Sequence, residues 1–141
     1  MYALDTDMCI YLLNGRAPEA AERMRDIPAD SVGVTSITAG ELRYGALRSG
    51  RTAANLERVE RFLAPLARLV FDDRAAVHFA EIKSNLATRG DLIGPMDLLI
   101  AATVRSRGAT LITNNTREFE RVSGLSIDNW SGAPKTTPGS A

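Results

Sequence analysis

Short apolar runs alternate with helical hydrophobic patterns along nearly the whole chain, and that alternation permits few architectures. Tyr2-Ala3-Leu4, Val32-Gly33-Val34-Thr35, Leu69-Val70-Phe71, Thr110-Leu111-Ile112-Thr113 and the stretch around Leu125 to Ile127 read as strands. Between them lie helices. Thr6 or Asp7 caps the first, which carries Met8, Ile10, Tyr11 and Leu12 and ends at Gly15; a second runs from Pro18 to Asp26. Ser36 caps the next, on which Ile37, Glu41, Tyr44 and Arg48 share one face. Leu56, Val59, Phe62 and Leu63 mark another, stopped by Pro65. Asp72 or Asp73 caps a longer helix that buries Ala75, Phe79, Ile82 and Leu86. Pro95 suits the first turn of the last helix, which Gly108 closes, and a turn with Phe119 follows. Strands joined through helices pair in parallel and are covered on both faces. The expected fold class is α/β, a three-layer α/β/α domain with a central, mostly parallel sheet over residues 1–130; residues 131–141, rich in Gly, Pro, Ser and Thr, read as a disordered tail.

A chain of 141 residues, 45% hydrophobic and 24% charged, buries a sizeable core without staples. No apolar run approaches membrane-spanning length, and Met-Tyr-Ala-Leu-Asp lacks the basic-then-apolar pattern of a secretory signal, so a cytoplasmic address and no membrane partner are expected. Cys9 is the only cysteine, which excludes an intrachain disulfide and a cysteine-built zinc site; it reads as a small core residue. The lone His78, at the border of an apolar helix face, reads as a packed or surface histidine, not as a ligand. Zero net charge argues against a simple basic nucleic-acid clamp. The charge is uneven, however. From Leu42 to Arg89 there are nine basic and five acidic residues, and the basic ones are nearly all arginine. Arginine suits bidentate phosphate contacts and equally suits surface ion pairs.

In an open α/β sheet, ligands bind beyond the carboxyl ends of the strands. Four side chains fall there. Asp5 follows the first strand, Glu41 lies early in the helix after the second, Asp97 occupies the first turn of its helix, and Asn115 lies just beyond the Leu111 strand. Ala101 and Val104 share a face with Asp97, which turns its carboxylate toward the packed side. Each position also has a plainer reading: helix capping for Asp5-Thr6-Asp7, a surface pair with Arg43 or Arg48 for Glu41, helix-dipole complementation for Asp97, a turn for Asn115. Together they point elsewhere. Clustered carboxylates repel, and a protein keeps them mainly to hold a hard divalent cation, magnesium or manganese before zinc.

The stretches Leu4 to Leu12 (LDTDMCIYL), Ser36 to Ala46 (SITAGELRYGA), Gly94 to Ala102 (GPMDLLIAA) and Thr113 to Val122 (TNNTREFERV) together resemble the PIN-domain ribonucleases, and within them the VapC-type toxins of bacterial toxin–antitoxin pairs. The resemblance implies a PIN-like α/β/α fold and a metal-dependent endoribonuclease. Its invariant acids fall on Asp5, Glu41 and Asp97, which would hold one or two Mg²⁺ or Mn²⁺ ions. Its fourth position, often Asp, falls on Asn115, and Thr113 and Asp7 are accessory candidates. Asp7, where the family usually has Asn, either restores a charge or caps the helix. The metal would activate water for phosphodiester hydrolysis, leaving 5′-phosphate and 3′-hydroxyl ends. The resemblance further implies a structured RNA substrate such as tRNA; Arg43, Arg48 and Arg51, in the arginine-rich middle of the chain, are the candidates for gripping its backbone. It also implies a homodimer and a VapB-type antitoxin that places a basic group against the acids.

Two rivals stand beside this reading. Leu4-Asp5-Thr6-Asp7 resembles the opening of a haloacid-dehalogenase-like phosphatase, although Lys83 and Lys135 sit poorly for its supporting lysine. Asn115 leaves room for a non-catalytic PIN-like module that binds RNA or a partner. A phosphoacceptor receiver domain is weaker, since its lysine after the last core strand is missing.

Overall fold

A computed structural model describes residues 1–131. The chain runs β1 (Tyr2–Leu4), α1 (Thr6–Leu13), α2 (Pro18–Arg25), a 3₁₀ turn (Ala29–Ser31), β2 (Val32–Thr35), α3 (Ser36–Leu47), α4 (Thr52–Leu63), β3 (Ala67–Leu69), α5 (Asp73–Thr88), α6 (Pro95–Ser106), β4 (Thr110–Ile112), α7 (Thr116–Phe119) and β5 (Ser126–Asp128). The five strands form one sheet in the order β3-β2-β1-β4-β5, and every pairing is parallel. The anticipated α/β/α architecture is therefore present. The tail from 132 to 141 lies outside the described residues.

Period-two alternation divides the strands between two helical layers. Ala3 and Leu111 face a core built with Ile82, Leu86, Leu98, Ala101 and Phe119. Leu4 and Ile112 face the opposite core, with Met8, Cys9, Leu42, Val59, Leu63 and Trp130. Cys9 is fully buried, as expected for a packing residue. Burial pushes its thiol up well above its ordinary value, so it stays protonated and inert. His78 is also structural: its Nδ1 accepts from Arg105 Nε at 2.8 Å, between α5 and α6. Trp130 stacks at a tilt on Tyr2, with centroids 5.1 Å apart, and fastens the end of the described chain to the first strand.

The order of strands determines where a ligand can bind. From β1 the chain moves outward to β2 and β3, then returns to lay β4 on the other side of β1. The crevice beyond the carboxyl ends of β1 and β4 is thus the topological switch point.

Several boundaries differ from the sequence expectation for identifiable reasons. Asp5, not Thr6 or Asp7, caps α1: its Oδ1 accepts the Met8 amide at 2.8 Å. Thr35, not Ser36, caps α3 by accepting the Thr38 amide at 3.1 Å. The third strand is Ala67–Leu69, two residues before the apolar run expected there. Leu69 pairs with Thr35, the last residue of β2, so Val70 and Phe71 have no neighbouring strand to bond. Phe71 instead meets Phe79 edge-on, at 6.3 Å between centroids. The turn at Phe119 is a one-turn helix, α7.

Gly33 permits the close approach of the edge strand. A Cβ at this position would stand 2.5 Å from the Ala67 carbonyl oxygen and 2.8 Å from a Leu69 methyl. Gly33→Ala is therefore expected to lower the free energy of unfolding by about 2 kcal/mol, read as a lower urea midpoint. An unchanged midpoint would show that β3 yields without cost.

Candidate active site

The local chemistry of each strand end carries a side chain into the switch-point crevice. Asp5 leaves β1 and starts α1, so the cap that begins the helix also anchors the carboxylate at the sheet edge. Its side chain has little freedom: Oδ1 holds the Met8 amide, and Thr113, at the end of β4, hydrogen-bonds the same carboxyl. Thr113 is fully buried and also takes the Asn115 amide on its Oγ1 at 2.9 Å. From α3, Glu41 accepts a hydrogen bond from Thr6 Oγ1 at 2.6 Å. Thr6 Oγ1 is also 3.0 Å from Thr38 Oγ1. A chain of hydroxyls thus leads from the α3 cap to the Glu41 carboxylate.

These residues line one cavity of about 310 Å³, bounded by Asp5, Thr6, Asp7, Glu41, Asp97, Asn115 and the Gly94-Pro95-Met96 turn. Asp5, Glu41, Asp97 and Asn115, anticipated as a group, do converge. Asp7 lines the same cavity from the exposed first turn of α1, free of the capping role, which Asp5 fills. Asn115 sits at the exposed rim and donates its amide to Glu118. Arg43, Arg48 and Arg51 are not among the cavity's walls. Arg43 is held by Glu60 in a two-point pair, with Nε to Oε1 at 2.6 Å and Nη2 to Oε2 at 3.2 Å. Arg48 and Arg51 are exposed at the α3–α4 turn.

One functional group escaped the sequence reading. Glu118, on α7, hydrogen-bonds the Asp97 carboxyl, receives the Asn115 amide and accepts the Gly94 backbone N–H at 3.2 Å. The available signal was its position one turn after Asn115, but a four-residue helix is too short to announce a face.

The electrostatics reflect burial first and crowding of like charge second. Burial raises the Asp5 carboxyl from its ordinary 3.8 to about 6, against the lowering effect of its bonds to Thr113 and Met8, while Asp7 and Glu41 raise it further. Asp97 rises to about 7: burial leads, followed by the hydrogen bond and repulsion from Glu118, then repulsion from Asp5 and Glu41. Among the described residues no three acidic, histidine or cysteine side chains are yet drawn into a ready-made metal grip. The carboxylates are instead held by Thr6, Thr113, the Met8 amide and one another. All the available donors are oxygens, and their charge is only partly compensated. That set fits a hard divalent cation, which would offset the repulsion that Asp97 meets from Glu118, Asp5 and Glu41.

Comparison with known proteins agrees with this chemistry. The PIN domain family matches residues 2–125. The chain is 39% identical over 130 residues to the tRNA(fMet)-specific endonuclease VapC of Shigella flexneri, covering 92% of this chain and 98% of that one. It is 43% identical over 129 residues to ribonuclease VapC2 of Haemophilus influenzae, covering 92% and 97%. Among solved structures it is similar to the DNA-bound VapBC complex of Salmonella typhimurium, with a TM-score of 0.87 and 39% identity over 92% of this chain and 97% of that one.

The raised Asp5 value makes a signed prediction for the metal-free protein. Below about pH 4 the folded and unfolded states both carry the proton, and Asp5 contributes nothing to stability. As pH rises from about 4 to about 6, the unfolded chain gives up this proton while the folded state still holds it, so stability falls and then levels off once the folded carboxyl has ionised. Asp5→Asn keeps a capping oxygen and removes the charge. In a chelating buffer at pH 7.5 the variant should unfold with up to about 3 kcal/mol more free energy than the native chain, and at pH 4 the gain should vanish. A gain of equal size at both pH values would show that charge burial is not its source.

Proposed function

Because this chain belongs to the PIN-domain family of VapC ribonucleases, we propose that it is a divalent-metal-dependent endoribonuclease toxin, acting on a structured RNA and restrained by a VapB-type antitoxin. The observation that carries the reading is the meeting of Asp5, Glu41 and Asp97 in one cavity at the switch point, where burial first and neighbouring carboxylates second raise the proton affinity of Asp5 and Asp97. In the mechanism, Asp5, Asp97 and Glu41 would hold Mg²⁺ or Mn²⁺, with Glu118 beside Asp97. Held there, such an ion would supply an activated water and offset charge building on the phosphate.

The protein's own residues position and support the site. Thr113 and the Met8 amide fix the Asp5 carboxylate in orientation. Thr6 steers Glu41. Asp7, exposed at the cavity wall, adds negative charge at the mouth, and Asn115 holds Glu118 toward Asp97. No side chain is placed as a covalent nucleophile. Asp5, the position a dehalogenase-like phosphatase would use for attack, is 4% exposed and occupied as a helix cap. The family relation and this burial set the phosphatase reading aside.

RNA, and tRNA in particular, follows from the named activity of the Shigella relative. Arg48 and Arg51 remain the backbone contacts to test. Arg43 is a weaker candidate because Glu60 already occupies its guanidinium. The antitoxin partner follows from the VapBC complexes among the structural relatives, and the same acidic cavity that takes a metal would accept a basic side chain from it. A second copy of the chain would cover the apolar face around Met96. There Tyr44 is 66% exposed, Met96 46% and Leu92 50%, with shallow apolar grooves on either side of the α6 start.

Antitoxin-free protein should cut a folded tRNA only with Mg²⁺ or Mn²⁺ present, leaving 5′-phosphate and 3′-hydroxyl ends. Asp97→Asn should slow this by about a hundredfold or more. If native protein and Asp5→Ala bind the RNA equally and leave it equally intact, the chain is a binding module and the nuclease reading fails. Sedimentation of Tyr44→Glu tests the dimer. The variant is expected to run as a monomer where the native chain runs as a dimer, and unchanged sedimentation would place the interface elsewhere.

A further inference from the structure

The segment from Gly90 to Gly94 has no regular secondary structure, yet it sets where α6 begins and so where Asp97 stands. Of its side chains only Ile93, 7% exposed, enters the core, while Leu92 is half exposed. Polar contacts hold the rest. Asp91 is shared by two arginines: its Oδ2 lies 3.2 Å from Arg89 Nη2 and its Oδ1 lies 3.4 Å from Arg121 Nε. Arg121 Nη1 also donates to the Leu92 carbonyl at 3.3 Å, and Arg89 Nη2 donates to the Arg121 carbonyl at 3.3 Å. Arg89 Nη1 reaches back to Asn85 on α5 at 3.1 Å. Two residues past Leu92, Gly94 gives its N–H to Glu118. A single short stretch, Glu118 to Arg121, therefore grips the loop at both ends.

We propose that Asp91 and Arg121 are positioning residues for the ribonuclease: they clamp the start of α6 against α7, so that Asp97 and Glu118 stand together as one cation-binding pair. The proposal rests on the reading of Asp97 as a metal ligand. Two features favour a local task over a global one. The Arg121 and Asp91 side chains are 36% and 40% exposed, and ion pairs so placed add only about 0–1 kcal/mol to folding. The geometry also needs a fork. Arg121 engages a carboxylate with one nitrogen and a carbonyl with another, which a lysine ammonium does not reproduce. Removing the clamp frees the loop to swing about Ile93, and the Gly94 amide leaves Glu118.

The test uses the full chain freed of antitoxin. Arg121→Gln and Asp91→Asn are compared with the native protein for Mn²⁺ binding by electron paramagnetic resonance, for amide exchange of Gly94 and Asp97 without metal, and for RNA cleavage across a Mg²⁺ series. Groups that orient metal ligands typically contribute 10–100-fold to metal affinity, and an exposed clamp belongs at the low end, about tenfold. Expected are Mn²⁺ binding weaker by that factor, faster exchange at both amides, and cleavage that recovers at high Mg²⁺. The thermal midpoint should stay nearly unchanged, and Arg121→Lys should fall between. Unchanged Mn²⁺ affinity overturns the proposal. So does a falling thermal midpoint accompanied by a loss of cleavage that high Mg²⁺ does not restore. Asp97→Asn, run alongside, separates this from the underlying reading: if it too leaves Mn²⁺ affinity intact, the metal site itself is misplaced, whereas its failure beside a normal Arg121→Gln condemns the clamp alone.

Discussion

A carboxylate buried at the junction of β1 and α1 is the constraint around which the rest of the molecule is arranged. Asp5 caps a helix, and a cap must sit at the sheet edge where the chain turns. The same position is enclosed by α3, α6 and β4, so the charge sits where water is scarce. Neutral donors soften the penalty: the Met8 amide and the Thr113 hydroxyl both bond the carboxyl. They do not remove it, and the acid is left with an affinity for protons well above that of a free aspartate. Helix start, cavity floor and charge trap are one residue. Changing it for function therefore changes the stability of the fold as well.

Around that point the molecule has two kinds of support. Toward α3 it is a row of hydroxyls, with Thr35 capping the helix, Thr38 beside it and Thr6 passing a hydrogen bond to Glu41. These are buried or half-buried and neutral, so salt does not weaken them. Toward α6 and α7 the support is ionic and partly exposed, built on Glu118, Asp91 and the arginines around it. The cavity is thus stiff on one wall and adjustable on the other. Local opening is expected to begin on the exposed side, where the ion pairs that hold the loop are partly solvated.

Much of this was legible in the amino-acid sequence because it depends on local rules. Apolar runs of three or four residues between helical patterns read directly as a parallel sheet, and parallel topology brings strand ends together. Asp5, Glu41 and Asp97 are therefore expected at one crevice from topology alone, and all three line the same cavity. What failed to show depends on contacts far apart in sequence. Val70 and Phe71 look like strand residues, and only the register of β3 against Thr35 shows that no partner remains for them. Arg43 looks free until α4 brings Glu60 across from 17 residues away. Glu118 sits in a helix of a single turn, and its importance lies in reaching Gly94, 24 residues earlier. Which threonine or aspartate caps a helix turns on single backbone dihedrals, which periodicity does not resolve.

The position of β1 in the middle of the sheet has a consequence for synthesis. Residues 2–4 are made first, yet their second neighbour in the sheet is residues 110–112. Until that late segment emerges, Asp5 lacks Thr113, Asp97 lacks Glu118, and the crevice has only one side. Parallel pairings of such long sequence separation also form slowly. A growing chain on the ribosome therefore carries all but one of the cavity's acidic groups without an assembled centre. The strand order itself delays assembly of the acidic crevice until nearly the whole domain has been synthesised.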